Sequence, residues 1–210
     1  MFDPQKIHED DVGAYTWSGF ACRESPSAED YLSYARADLK DGDTPRHLIN
    51  ALANAKRALH MRMEDACLGF GAGSLDNMRG FHRLSKYLKK CGLPAPDVLE
   101  KFNSTRNSIE HDFTVPSREI VEIFTDVTYL FLSATDRWSV RQPDDIELNE
   151  LNHSKDRLLN GVSYNWRAGQ VKLLISEPGD RSRGYPHSIT YTNQDPEFFH
   201  WVTFAVTHSS

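Results

Sequence analysis

The chain has 210 residues, 39% hydrophobic and 26% charged, with a formal net charge of −6, which suits one medium domain or one domain with a smaller appendage. No stretch approaches the ~18 apolar residues of a membrane span, and the opening residues 1–15 have neither the basic start nor the apolar run of a secretory signal. The acid excess excludes binding of a polyanion through bulk charge, so any such partner has to meet a local basic patch.

Cys22, Cys67 and Cys91 are odd in number and show no CxxC spacing. That argues against a disulfide framework or a cysteine zinc site and points to a reducing cytoplasm. The charge is uneven along the chain. Residues 1–150 carry 25 acidic and 18 basic side chains, and residues 151–210 carry 5 and 6.

Residues 1–26 mix Gly, Pro and acidic residues without periodicity and read as an irregular lead-in. Ser27 with Asp30 three residues on has the form of a capping box, opening a helix through Leu39. Asp43-Thr44-Pro45 precedes a longer helix. Its Leu48, Ile49, Leu52, Ala55, Leu59 and Met63 recur at three- and four-residue steps. The glycine-rich run 69–74 ends that helix; it lacks the Lys-Ser/Thr ending of a phosphate loop and reads as a flexible interhelical connection.

Asp76 is placed to cap a third helix burying Met78, Phe81, Leu84, Tyr87 and Leu88, with Gly92 as its stop. Asp97 opens a further helix running toward Arg106. Pro116–Glu119 begins the last long helix, which carries Ile120, Ile123, Phe124, Val127, Leu130, Phe131 and Ala134 to about Trp138. Residues 27–138 therefore read as an all-α bundle of four or five helices.

Residues 139–157 are polar and acidic around Pro143 and read as a linker. Leu158–Trp166 and Gln170–Ser176 flank Arg167-Ala168-Gly169 as a hairpin, and Ser188–Thr192 as a short strand. Asp195-Pro196-Glu197 is a helix start, yet Val202, Thr203, Phe204, Val206 and Thr207 favour a strand, and the strand reading is preferred. The expected architecture is α+β: an N-terminal bundle, then a small antiparallel β appendage over residues 158–210, packed on the bundle because so few strands do not stand alone.

The most pointed chemical feature is Arg106-Asn107-Ser108-Ile109-Glu110-His111. On a regular helix Asn107 and His111 share a face, whereas Arg106 lies about 140° from His111. One straight segment does not bring Arg106 and His111 together. Imidazole takes a proton from a ribose 2′-hydroxyl near neutral pH, and guanidinium matches phosphate oxygens. The same residues also permit a plain reading, with Arg106 and Glu110 as an i,i+4 ion pair and His111 as a cation at a helix C-terminus.

This Arg-x4-His spacing, together with the helical stretch 47–66 before it, resembles the HEPN family over about residues 27–138. The resemblance implies a metal-independent endoribonuclease without cofactor, of a toxin–antitoxin or phage-defence kind, that cuts RNA. It implies a homodimer in which the motifs of two subunits share one cleft, and an antitoxin or regulatory protein as a further partner. Arg106 and His111 are then catalytic, Asn107 supports the imidazole or a phosphate oxygen, and Glu110, one turn after Arg106, either positions that arginine or neutralises it.

Arg79, Arg83, Lys86 and Lys90, at steps of four, three and four, form a basic stripe on the third helix that suits an RNA backbone. Its plain reading is a solvated helix face. The histidines show no paired metal-ligand spacing, so no metal is expected. The aromatics Tyr164, Trp166, Tyr185, Tyr191, Phe199 and Trp201 are candidates for base stacking and equally for a small core. The alternative function is a non-catalytic HEPN-like module that binds a nucleotide, RNA or a protein partner.

Overall fold

Ser27 opens the first helix as its sequence predicts. Its hydroxyl accepts from the N–H of Asp30, and the Asp30 carboxylate accepts from the N–H of Ser27, the reciprocal pairing that satisfies two orphan donors. The computed structural model describes residues 2–76, 78–93, 99, 114–154, 157–179 and 185–208. Helix α1 spans Ala28–Asp41 and α2 Pro45–Gly69, whose proline sits in the first turn. Helix α3 spans Phe81–Lys90 and α4 Arg118–Val140, capped by the Ser117 hydroxyl.

Helices α1, α2 and α4 pack on one another, with α3 against α2. Leu48, Leu52, Ala55, Leu59 and Met63 of the α2 stripe are buried, while Ile49 is about half exposed. Arg62 of α2 is only 2% exposed and ion-pairs with Glu29 of α1, with Asp136 of α4 at 3.8 Å. One buried cation thus ties three helices together. The helix expected to open at Asp97 falls almost wholly outside the described residues; Leu99, which is described, is buried.

Helix α4 buries a different face from the one its aliphatic residues suggest. Val121, Phe124, Thr125, Thr128, Phe131, Leu132, Thr135 and Trp138 point inward. The three threonine hydroxyls donate to the carbonyls of Val121, Phe124 and Phe131 on their own helix. Burial is therefore tolerated because each polar atom is paired. Ile123 and Leu130, 45% and 63% exposed, face away from the core.

The expected order, a bundle followed by a β appendage, does not hold. Five strands form one antiparallel sheet in chain order, β1 (Val12–Ser18), β2 (Gln142–Ser154), β3 (Arg157–Asn165), β4 (Gln170–Ser176) and β5 (His187–Thr192). The sheet is central and the helices are interleaved with it: α1 to α4 lie in the chain between β1 and β2, and α5 (Pro196–His208) follows β5.

Two stretches read as irregular are strands. Residues 1–26 contain β1, which pairs with β2 from Val12↔Leu148 to Ser18↔Gln142. The 139–157 linker holds the end of α4, all of β2 and the first residue of β3. Its acidity hid the strand, but the Ser18 hydroxyl donates to Asp144 and the Thr16 hydroxyl to Asp145. Pro143 sits at the strand's second position, beside a register shift against β1, where a missing donor is tolerated. The β3–β4 hairpin forms where expected, its turn closed by Gly169 at φ +63°.

The C-terminal segment is a helix, not the strand preferred from its β-branched residues. The Asp195 carboxylate accepts from the N–H and hydroxyl of Thr192, and Pro196 follows. Phe198, Phe199, Trp201, Val202, Phe204, Ala205 and Val206 are all buried. Packing over most of its circumference, with only Pro196, His200 and Thr207 exposed, outweighs local propensity here.

The glycine run after α2 is also corrected: it is a buried junction. Gly69, Phe70, Gly71 and Ala72 are buried. Three successive carbonyls accept from side chains of three separate parts of the fold: Gly69 from Gln142 Nε2 at 2.9 Å, Phe70 from the Tyr87 hydroxyl at 2.8 Å, and Gly71 from Asn193 Nδ2 at 2.6 Å. The Phe70 ring meets Trp138 and Trp166 edge-on at 5.4 and 5.5 Å. Gly71, at φ +92°, lies so close to Gly169 that a Cβ would be 3.0 Å from its Cα.

Tyr87→Phe deletes one clamp hydroxyl and leaves a buried carbonyl unpaired. The expected loss of stability is about 1–3 kcal/mol, read from the urea unfolding midpoint; an unchanged midpoint contradicts the clamp.

Candidate functional site

Arg106, Asn107, Glu110 and His111 lie outside the described residues. The site is therefore built from the basic row. Gly80, at φ +91°, caps α3 directly before Phe81, so Arg79 belongs to the preceding turn and not to the helix. Asp76 is likewise upstream of the cap. Arg83, Lys86 and Lys90 remain on one face, one turn apart and exposed. Leu84, Ser85 and Leu88 fill the opposite, buried face, and Tyr87, also buried, borders the cationic row. Met78 and Phe81, expected inside, are only partly buried.

The three cations share a cavity of about 280 Å³ with Tyr87, Asn193 and Phe199; Asp76 lines it too, leaving two positive charges in excess, and Arg79 does not line it. Its walls are fixed. Asn193 is buried, its amide donating to the Gly71 carbonyl and the Ser74 hydroxyl, and the Tyr87 hydroxyl is held on Phe70. The Lys90 ammonium lies 4.9 Å over the Phe199 ring, a contact that limits the freedom of a long side chain. The arrangement presents a short row of positive charge beside a rigid aromatic wall, chemistry suited to phosphates.

Asn193 and Phe199 were not singled out together with the basic row. They arrive from the turn after β5 and from α5, more than a hundred residues downstream of Arg83, and only the fold joins them.

A larger cleft of about 770 Å³ lies where β1–β3 meet the end of α2. Asp144 and Asp145 line it with Arg167, so its lining carries one net negative charge and does not favour a polyanion. Of the candidate stacking aromatics, Tyr164 and Trp166 stack on each other at 4.7 Å and donate to the carbonyls of Trp201 and Pro143. With Phe199 and Trp201 they are buried, so these four build the core. Tyr185 is about half exposed and Tyr191 partly buried.

No group of His, Cys, Asp and Glu able to hold a metal occurs among the described residues. The three cysteines are free thiols. Burial pushes all three thiols above their ordinary range, Cys91 most firmly within the core; nearby Arg62 only partly offsets this at Cys22. A group so shifted is a poor thiolate nucleophile at neutral pH.

No protein-family model matches the chain, and neither the curated proteins nor the solved structures contain a match to it.

Arg83→Ala, Lys86→Ala and Lys90→Ala are each expected to weaken binding of single-stranded RNA. Each should lower the slope of log K against log salt by about 0.7 if one phosphate contact is lost. Arg79→Ala should change it least. Fluorescence anisotropy over a salt series reads both quantities, and equal effects at all four positions contradict the cavity as the phosphate site.

Proposed function

We propose that this chain is a metal-independent endoribonuclease of HEPN type, cutting RNA at a composite site formed by two copies. The observation that carries the reading is the convergence of Arg83, Lys86 and Lys90 on one rigid cavity, in a chain that also carries the Arg106–His111 motif. The basic row holds the backbone and the motif does the chemistry.

His111 takes the proton of a ribose 2′-hydroxyl, and the 2′-oxygen bonds to the adjacent phosphorus as the bond to the 5′-oxygen breaks. The 5′-oxygen leaves as it takes a proton from solvent water, and the proton gained by His111 returns to water as the site turns over. One product strand ends in a 2′,3′-cyclic phosphate and the other in a 5′-hydroxyl. Arg106 holds the non-bridging oxygens as charge grows there; Asn107 orients the imidazole, and Glu110 positions Arg106. Three free thiols and the lack, among the described residues, of a helix long and apolar enough to cross a membrane support work in the cytoplasm.

Purified chain should cleave single-stranded RNA in the presence of chelator, and His111→Ala should slow cleavage by about 10²–10⁴-fold while RNA binding persists. Cleavage abolished by chelator, or undiminished in His111→Ala, contradicts the mechanism. RNA binding without any cleavage by the unaltered chain assigns it instead to a non-catalytic binding module.

A further inference from the structure

The cleft where β1–β3 meet the end of α2 has no part in holding RNA. At about 770 Å³ it falls within the roughly 300–1,000 Å³ range of small-molecule sites. It shares no lining residue with the basic cavity.

Successive residues of a regular strand point to opposite faces of the sheet, yet Asp144 and Asp145 both line this cleft. A bulge accounts for it. Thr16 pairs with Asp145 and the next residue, Trp17, with Pro143, so Asp144 has no opposite residue in β1. An extra residue of this kind re-aims side chains. The Ser18 hydroxyl donates to Oδ1 of Asp144 at 2.7 Å, and the Thr16 hydroxyl to Oδ2 of Asp145 at 2.8 Å. Both carboxylates are thereby fixed, and among the described residues the second oxygen of each has no donor. Adjacent carboxylates repel each other, and Arg167, also in the lining, pairs with neither.

Gln142 supplies a third acceptor. It is 1% exposed and lines the cleft. Its Nε2 is committed to the Gly69 carbonyl, which orients the amide, and among the described residues nothing donates to its Oε1. A buried acceptor left without a donor is costly, and a ligand N–H removes that cost. Leu68, half exposed on the last turn of α2, and Phe20 add apolar wall. Three oxygen acceptors beside apolar surface suit a ligand that brings N–H donors, positive charge and a hydrocarbon body. A bare divalent ion would leave the apolar wall unused.

We propose that this cleft binds a small organic cation, a primary amine or guanidinium on a short apolar body. Its N–H groups donate to Asp144, Asp145 and Gln142 Oε1, and its body lies against Leu68 and Phe20. The site stands apart from the RNA reading and does not depend on it.

Isothermal titration calorimetry on the full chain tests this with phenethylamine, with its neutral counterpart 2-phenylethanol, and with magnesium chloride as competitor. Phenethylamine is expected to bind saturably and 2-phenylethanol at least about tenfold more weakly, the scale of a hydrogen bond to a charged group. Asp144→Asn should weaken the amine by a similar factor while keeping an acceptor for Ser18. Gly73→Leu should abolish binding by filling the cleft: Gly73 is exposed in its wall, and a Cβ there meets only the Arg167 carbonyl and Leu68 Cδ2, both at 3.9 Å. Far-ultraviolet circular dichroism checks the fold of each variant. Arg83→Ala should leave amine affinity unchanged, so this site and the basic cavity are read apart. Absence of saturable phenethylamine binding overturns the proposal. So does equal affinity for 2-phenylethanol, displacement by magnesium, or unchanged binding in folded Asp144→Asn and Gly73→Leu.

Discussion

Three backbone carbonyls at the end of α2 hold the molecule together. A helix C-terminus leaves its last carbonyls without intrahelical partners, and here the chain drives that end into the core instead of into water. Gly69, Phe70 and Gly71 are satisfied by Gln142, Tyr87 and Asn193. Those donors come from β2, from α3 and from the turn before α5. Helices and sheet therefore meet at one polar junction wrapped in aromatic rings, where an unpaired group is costly.

The same junction sets the geometry of the basic cavity. Tyr87 and Asn193, two of the three clamp residues, also line it beside Arg83, Lys86 and Lys90. The cationic row is thus presented from a helix whose buried side is tied to the core, not from a loose surface segment. Where affinity depends on placing charges at phosphate spacing, such fixing lowers the entropy lost on binding.

Much of the helical part was legible because its signals are local. The Ser27–Asp30 box, the proline at the start of α2 and the α2 stripe each act within one or two turns. The β3–β4 hairpin was legible for the same reason. What escaped depends on distant partners. β1 and β2 are strands because each pairs with the other across more than a hundred residues, with Ser18 and Thr16 hydroxyls quieting Asp144 and Asp145. The 196–208 helix contradicts its β-branched composition because most of its circumference packs into the core. In α4 the periodicity identified a helix, but two apolar rows were merged into one face, since nothing local reveals that buried threonines are paired on their own backbone. The glycine run looked like a flexible connection for want of any sequence trace of Gln142 and Asn193 as its caps. Of the candidate site, the cations at 83, 86 and 90 were legible by spacing. Arg79 was misplaced onto α3 because the left-handed Gly80 breaks the helix there.

The central claim is that RNA is cut by its own 2′-hydroxyl with an imidazole moving the proton. Mass spectrometry of the ends left on a short synthetic RNA tests this most directly. The account predicts a 2′,3′-cyclic phosphate on one fragment and a 5′-hydroxyl on the other, with a substrate bearing 2′-O-methyl at the cut left intact. Fragments carrying a 5′-phosphate, or cleavage of the 2′-O-methyl substrate, would contradict it.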